Sequence, residues 1–201
     1  ITPNNQVIIV TAPEKEGLAA PTAEELLAIR DKVTAGEVAA YEDNVVKEPL
    51  IPEGTVLKGS PVKKTAEDAE LGTTEWTLAN GAKVVVKHTD FKADEVRMSA
   101  VAKGGLSVLS DGEFYMGEMM PAVNSMSGVG KFPATELKKQ LSGKTASVQP
   151  SVENYASAMK GVCSPKDIET MLQLLYLNFT QPRFDRNDYD NLIKMLRSQL
   201  E

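Results

Sequence analysis

Few side chains in this sequence could do chemistry. It holds one histidine, His88, and one cysteine, Cys163. A two-histidine zinc centre grips its metal with imidazoles and keeps one position open for water. One histidine cannot build such a centre within the chain, although a site shared with a second chain stays open. A single cysteine excludes an internal disulfide framework and any cysteine-rich zinc module. His88 stands at a strand end, followed by Thr89 and Asp90. A lone imidazole beside one acid is more often a satisfied edge residue than a general base. Cys163 precedes a helix start, where a thiol pKa can fall. With His88 as its sole candidate base, a thiol-protease reading is weak, and a small buried residue is the competing role.

Ser127-Gly-Val-Gly-Lys-Phe132 is similar to the end of a phosphate loop. The full pattern needs glycine at 125 and Ser or Thr at 132, and these positions hold Ser125 and Phe132. Helix termination and a turn explain the segment better. Met116, Met119, Met120, Val123 and Met126 recur near helical spacing. They could offer an adaptable peptide-binding surface, but such a stripe is more often core. Glu113 and Glu118 on the same stretch read as a solvated face. Asn178-Phe-Thr180 matches a glycosylation acceptor but lies in an apolar helix, where it would go unused; Asn124-Ser-Met126 does not match.

The elements that must position these residues follow from pattern. Gln6-Val-Ile-Ile-Val-Thr11 reads as a buried strand without a local partner, hence the tail of a preceding domain. Thr22 and Glu25 form a capping box for a helix with Leu26, Leu27, Ile29 and Val33 on one face, ended by Gly36. A second short helix runs through Glu37 to Tyr41. Residues 43–74 hold Pro49, Pro52, Gly54, Gly59, Pro61 and Gly72 without a sustained period, and read as an extended linker. Thr74–Leu78, Asn80-Gly81 and Lys83–His88 read as a β-hairpin, with Val96–Lys103 as a third strand. Helices follow over Asp111–Met126 and Ala134–Leu141, then two strand-like runs around Pro150. Ser164, Pro165 and Asp167 open a helix with Ile168, Met171, Leu172, Leu175, Tyr176 and Phe179 on one apolar face. Asp185 caps a last helix with Tyr189, Leu192, Ile193, Leu196 and Leu200 inward. The order implies an α+β, two-layer sandwich of mostly antiparallel sheet packed by helices.

Composition agrees with a globular chain: 201 residues, 42% hydrophobic and 25% charged. No apolar run approaches the roughly 20 residues of a membrane-spanning helix. Net charge is −6. Residues 1–60 carry five basic and ten acidic residues, hence −5; the other 17 basic and 18 acidic residues give −1. No basic stripe appears, so no nucleic acid is expected as a partner. Ile1 in place of an initiating Met suggests a processed or excised segment.

Several phrases in this order carry a family resemblance. They are Leu78-Ala-Asn-Gly-Ala-Lys-Val-Val-Val86, Lys103-Gly-Gly-Leu-Ser107, and Gly128-Val-Gly-Lys-Phe132 leading to Glu136, Leu137 and Leu141. Leu172-Gln-Leu-Leu-Tyr-Leu-Asn-Phe-Thr-Gln-Pro-Arg-Phe184 follows. Together the chain resembles the pitrilysin/insulinase-type zinc peptidases, which include the mitochondrial processing peptidases. In that family a helix bears His-x-x-Glu-His: the histidines and a distal Glu hold zinc, and the motif Glu polarises water. The corresponding stretch here, Gly112-Glu-Phe-Tyr-Met-Gly-Glu-Met-Met-Pro-Ala-Val-Asn-Ser-Met126, has no histidine.

The resemblance therefore implies a non-catalytic internal domain fragment of a long bacterial member. Residues 1–42 would end one homologous domain, 43–74 would link, and 75–201 would begin an inactive domain. No catalytic, cofactor-binding or metal-binding residue is expected in this chain, and zinc is expected in a catalytic domain of the parent protein. The implied role is structural and substrate-enclosing. Its partners would be other domains of the same polypeptide and peptide or unfolded protein, with exposed apolar surface favouring a dimer. A stand-alone scaffold that binds partner proteins and cleaves nothing is the alternative. A third reading is an unrelated peptide-binding α+β domain, in which the Trp76–His88 hairpin would not open a sheet continued by Val96–Lys103. The resemblance to long bacterial members points to a periplasmic or otherwise exported protein, with cytoplasmic as the alternative.

Overall fold

The computed structural model describes residues 5–11, 17, 19–36 and 48–200. The chain divides into two compact units, Ile1–Asn44 and Val45–Glu201.

In the first unit, helix α1 spans Ala23–Ala35. Thr22 accepts from the Glu25 N–H at 3.2 Å, and the Glu25 carboxylate accepts from the Thr22 N–H at 2.8 Å. These reciprocal bonds satisfy two donors that a helix start leaves open. No α1 residue is buried. The strand expected at Gln6–Thr11 does not form, and Ile9 is 82% exposed. A lone extended run leaves its backbone groups to water unless a second strand pairs with it. The helix expected over 37–41 lies outside the described residues.

The second unit holds two three-stranded antiparallel sheets. Strands β1 (Val62–Asp68), β2 (Thr73–Leu78) and β3 (Lys83–Lys87) lie in that order in the first. The β2–β3 hairpin forms as expected, with Trp76 opposite Val84. Gly81 takes φ +89°, and the Asn80 side chain accepts from the Ala82 N–H at 3.0 Å. Strand β1 and the start of β2 fall inside 43–74, the stretch expected as an extended linker. Val-Lys-Lys-Thr-Ala-Glu-Asp neither alternates nor favours β structure; pairing with β2 creates the strand.

Strand β4 (Val96–Lys103) leaves the hairpin and pairs with β6 (Ala156–Cys163), which pairs in turn with β5 (Ala146–Val152). The expectation that Val96–Lys103 continues the hairpin's sheet is therefore corrected. Both edges of β6 are satisfied within the second sheet, and the polar stretch 88–95 carries the chain from one sheet to the other. Pro150 sits inside β5 rather than between two strands. The edge position of β5 tolerates its missing N–H.

Helices α2 (Phe114–Ser127), α3 (Ala134–Gln140), α4 (Ile168–Thr180) and α5 (Arg186–Leu200) complete the unit. Helices α2 and α4 pack on the second sheet and make the two-layer α+β arrangement. The core lies there: Leu50, Val129, Phe132, Leu174 and Leu177, flanked by Leu137, Leu141, Ala146 and Val148. The apolar face assigned to α4 is partly corrected. Met171 is buried, but its buried companions are Thr170, Leu174 and Leu177, whereas Ile168, Leu172, Tyr176 and Phe179 face outward. On α5, Leu192 is buried, while Tyr189 and Leu196 are exposed.

Candidate functional site

The stretch expected from the resemblance to correspond to the family's metal-binding helix is α2 with the corner behind it. Gly128 ends α2 at φ +85° and ψ −148°, a region open to glycine and hardly to other residues. A Cβ there would collide with the Phe132 carbonyl oxygen. Val129 and Phe132 exchange backbone hydrogen bonds of 3.0 and 2.9 Å, and the Gly130 N–H donates to the Gln181 carbonyl at 2.9 Å. Phe132 is 1% exposed. Lys131 pairs with Glu48, its Nζ 5.8 Å from the centre of the Phe132 ring. A phosphate loop presents free backbone N–H groups to its ligand. Here those of Val129, Gly130 and Phe132 already donate to protein carbonyls, so the segment is a packed corner.

Two polar groups at the end of α2 tie it to the α4–α5 connection. The Asn124 Nδ2 donates to the Arg183 carbonyl at 3.3 Å, and the Asp185 N–H donates to Ser127 Oγ at 2.9 Å. Both side chains are buried. Sequence reasoning passed over them; polar residues on the otherwise apolar rear of α2 were the available signal. Asp185 in turn caps α5 by accepting from the Asn187 N–H at 2.9 Å.

At the start of α2, the Ser110 hydroxyl and N–H donate to Glu113 at 2.6 and 3.1 Å. These bonds hold its carboxyl below the usual range. Glu118 is exposed. The methionines correct the expectation of a core stripe: Met116, Met120 and Met126 are exposed and only Val123 is buried. Met116, Met119 and Met120, with Tyr115, Phe184 and Tyr189, line an apolar groove of about 530 Å³ between α2 and α5.

His88 is exposed just beyond β3. It borders a hollow whose lining is mainly apolar, with Phe91, Val96 and Pro165 beside Asp90, Glu95 and Arg97. Glu95 there is committed to Arg97 Nε at 2.6 Å and Lys92 Nζ at 3.0 Å. Cys163 is buried at the end of β6. Burial, and secondarily the Asp167 carboxylate, push its thiol above the ordinary range. A protonated, enclosed thiol is the opposite of an activated nucleophile. Asp167 accepts from Ser164 Oγ at 2.6 Å and the Thr145 N–H at 2.9 Å, and these bonds hold its carboxyl low. It welds the α4 entry to the start of β5. Asn178 spends its side-chain N–H on the Leu174 carbonyl at 2.9 Å, inside α4.

The donor set does not fit the family's zinc centre. That centre needs two imidazoles one helical turn apart, and this stretch offers Glu113, just before α2 and already bonded to Ser110, and Glu118 within it. Among the described residues no three His, Cys, Asp or Glu side chains group to hold a metal ion.

No protein-family model matches the chain. Among curated proteins it is similar to the probable zinc protease PqqL of Haemophilus influenzae, at 25% identity over 103 residues, covering 51% of this chain and 11% of that protein. It is similar to the zinc protease PQQL-like of Arabidopsis thaliana at 26% identity over 171 residues, covering 82% of this chain and 15% of that protein. The chain thus spans well under a fifth of these relatives. In fold it matches the crystal structure of the periplasmic protease PqqL from Escherichia coli with TM-score 0.67 and 19% identity, covering 86% of this chain and 19% of that one. It also matches the ferredoxin protease FusC, solved as a mutant in complex with Arabidopsis ferredoxin. That TM-score is 0.67 at 15% identity, covering 90% of this chain and 20% of that one. Separate sheets were the mark of the unrelated-domain reading, but the curated homologues are PqqL-type zinc proteases, of the pitrilysin/insulinase-like family, and the solved PqqL and FusC share the fold.

Proposed function

We propose that this chain is a non-catalytic, substrate-enclosing part of a zinc metalloendopeptidase whose His-x-x-Glu-His domain lies elsewhere in the parent protein. The single observation that carries the reading is the composition of α2. The helix that the resemblance sets in the metal-binding place bears no imidazole, Glu113 just before it is occupied by Ser110, and the chain's one histidine sits outside the helix. In this reading residues 1–42 end one homologous domain, 43–74 connect, and 75–201 begin an inactive domain. Strand β1 then makes the second half of the connection part of the following sheet.

The groove between α2 and α5 supports a wall that touches polypeptide, since thioether side chains adapt to varied apolar partners. The ferredoxin bound in the FusC structure supports peptide or unfolded protein as the substrate class of the parent. The periplasmic setting of the E. coli PqqL supports an exported protein. The scaffold alternative keeps the same fold and draws on the same exposed apolar surface.

Metal analysis and peptide hydrolysis by the purified chain test the reading together. The expected result is less than stoichiometric zinc and no turnover with zinc supplied. A tight one-to-one zinc site, or turnover that a chelator stops, would end it. The parent reading frame separates the two roles: a His-x-x-Glu-His domain on it supports the peptidase part, and its absence supports the scaffold.

A further inference from the structure

Helix α4 is apolar on two sides, and only one is used by the core. The outward stripe of Ile168, Leu172, Tyr176 and Phe179 stays exposed, Leu172 at 50% and Phe179 at 62%. Beside it runs the strap 49–57. The strap is pinned by buried Leu50 and by the Gln140 side-chain N–H, which donates to the Glu48 carbonyl at 3.1 Å. Strap and helix enclose a groove of about 470 Å³. Its apolar lining comes from Ile51, Leu57, Leu172 and Tyr176, and its charged lining from Glu53 and Glu169 alone. Among the described residues no Lys, Arg or His lines it. Glu169 accepts from the neutral Gln173 amide at 3.2 Å, which leaves its charge uncompensated. An apolar trough with carboxylates of one sign selects its occupant by charge as well as by shape.

We infer that this groove docks a polypeptide segment that carries both aliphatic side chains and lysine or arginine. The aliphatic groups cover Leu172, Tyr176 and Leu57, and the cations face Glu53 and Glu169. Two prolines, Pro49 and Pro52, stiffen the strap and reduce the entropy lost on docking. The site is separate from the α2–α5 groove and does not depend on the peptidase reading.

The test titrates two synthetic peptides into the full chain at low salt, followed by backbone amide NMR shifts. The peptides are acetyl-Leu-Lys-Leu-Arg-Leu-amide and its counterpart with Glu at both charged positions. The cationic peptide should shift amides of 51–57 and 169–176, and the acidic one should bind at least about tenfold more weakly. The double variant E53Q/E169Q should lose about tenfold in affinity for the cationic peptide, and Leu172→Asp should abolish its binding. All three substituted positions are exposed, and an otherwise unchanged amide spectrum verifies the fold. Equal binding of the two peptides, shifts confined to other surfaces, unchanged affinity in E53Q/E169Q, or no binding of the cationic peptide would each overturn the inference.

Discussion

Replacing Phe132 by alanine probes what the glycine-bearing segment 127–132 does. The ring is 1% exposed and sits in the cluster of Leu50, Val129, Leu174 and Leu177. A Phe-to-Ala truncation in such a place costs about 3–5 kcal/mol, because transfer energy is lost and the cavity collapses only in part. Lys131→Ala removes an exposed ion pair with Glu48 and a cation 5.8 Å from the ring. Each of those is worth about 1 kcal/mol or less at a wet surface. Urea unfolding followed by far-UV circular dichroism compares them. With a slope of about 2 kcal/mol per molar, Phe132→Ala should move the midpoint down by about 1.5–2.5 M, and Lys131→Ala by about 1 M or less. A Phe132→Ala cost below about 1 kcal/mol, or a larger cost for Lys131→Ala, would refute the assignment of this segment as a packed corner.

The same corner predicts that Gly128→Ala destabilises by about 3 kcal/mol or more, from the φ +85° backbone and the collision of a new Cβ with the Phe132 carbonyl oxygen; a wild-type melting curve would contradict it. Cys163, buried and raised in pKa, should react with a thiol reagent at least about tenfold more slowly in the folded protein than in denaturant. Its neutral thiol favours the folded state below the unfolded thiol pKa, and that contribution fades as pH rises through the folded value. Cys163→Ala should therefore flatten the alkaline limb of stability against pH. Asp167 works in the opposite direction: its folded pKa is lowered by Ser164 and Thr145. Its contribution is present above the unfolded carboxyl pKa and is lost as pH falls through the folded one. Asp167→Asn should lower stability at neutral pH and shrink the acid-side dependence; an unchanged acid limb in urea titrations would count against the bonding described here.

The residues 1–60 that carry most of the negative charge and the sparse imidazole count were legible without coordinates, and so were several elements. Thr22 and Glu25 announced α1, Asn80-Gly81 announced the hairpin turn, and Ser164-Pro165 announced the α4 entry, since capping and turn chemistry act over a few residues. The word order that carries the family likeness was legible for the same reason, and the curated and structural relatives agree with it.

Other features were set at longer range. Helix α4 is apolar almost all round, so its period could not choose between the Leu172–Tyr176–Phe179 stripe and the Thr170–Met171–Leu174–Leu177 stripe; the position of the β4–β6–β5 sheet chose. Strand β1 exists because β2 pairs with it, and Val7 to Val10 remain outside any strand because propensity without a ladder partner leaves backbone groups to water. The α2 methionines satisfied the helical period of a core stripe, yet of that stripe only Val123 is buried, and packing tied Asn124 and Ser127 into the α4–α5 turn. Local bonding could be read from neighbouring residues along the chain. The choice of which apolar face lies inside belongs to the three-dimensional packing, because burial is a property of the surfaces that meet and not of either surface alone.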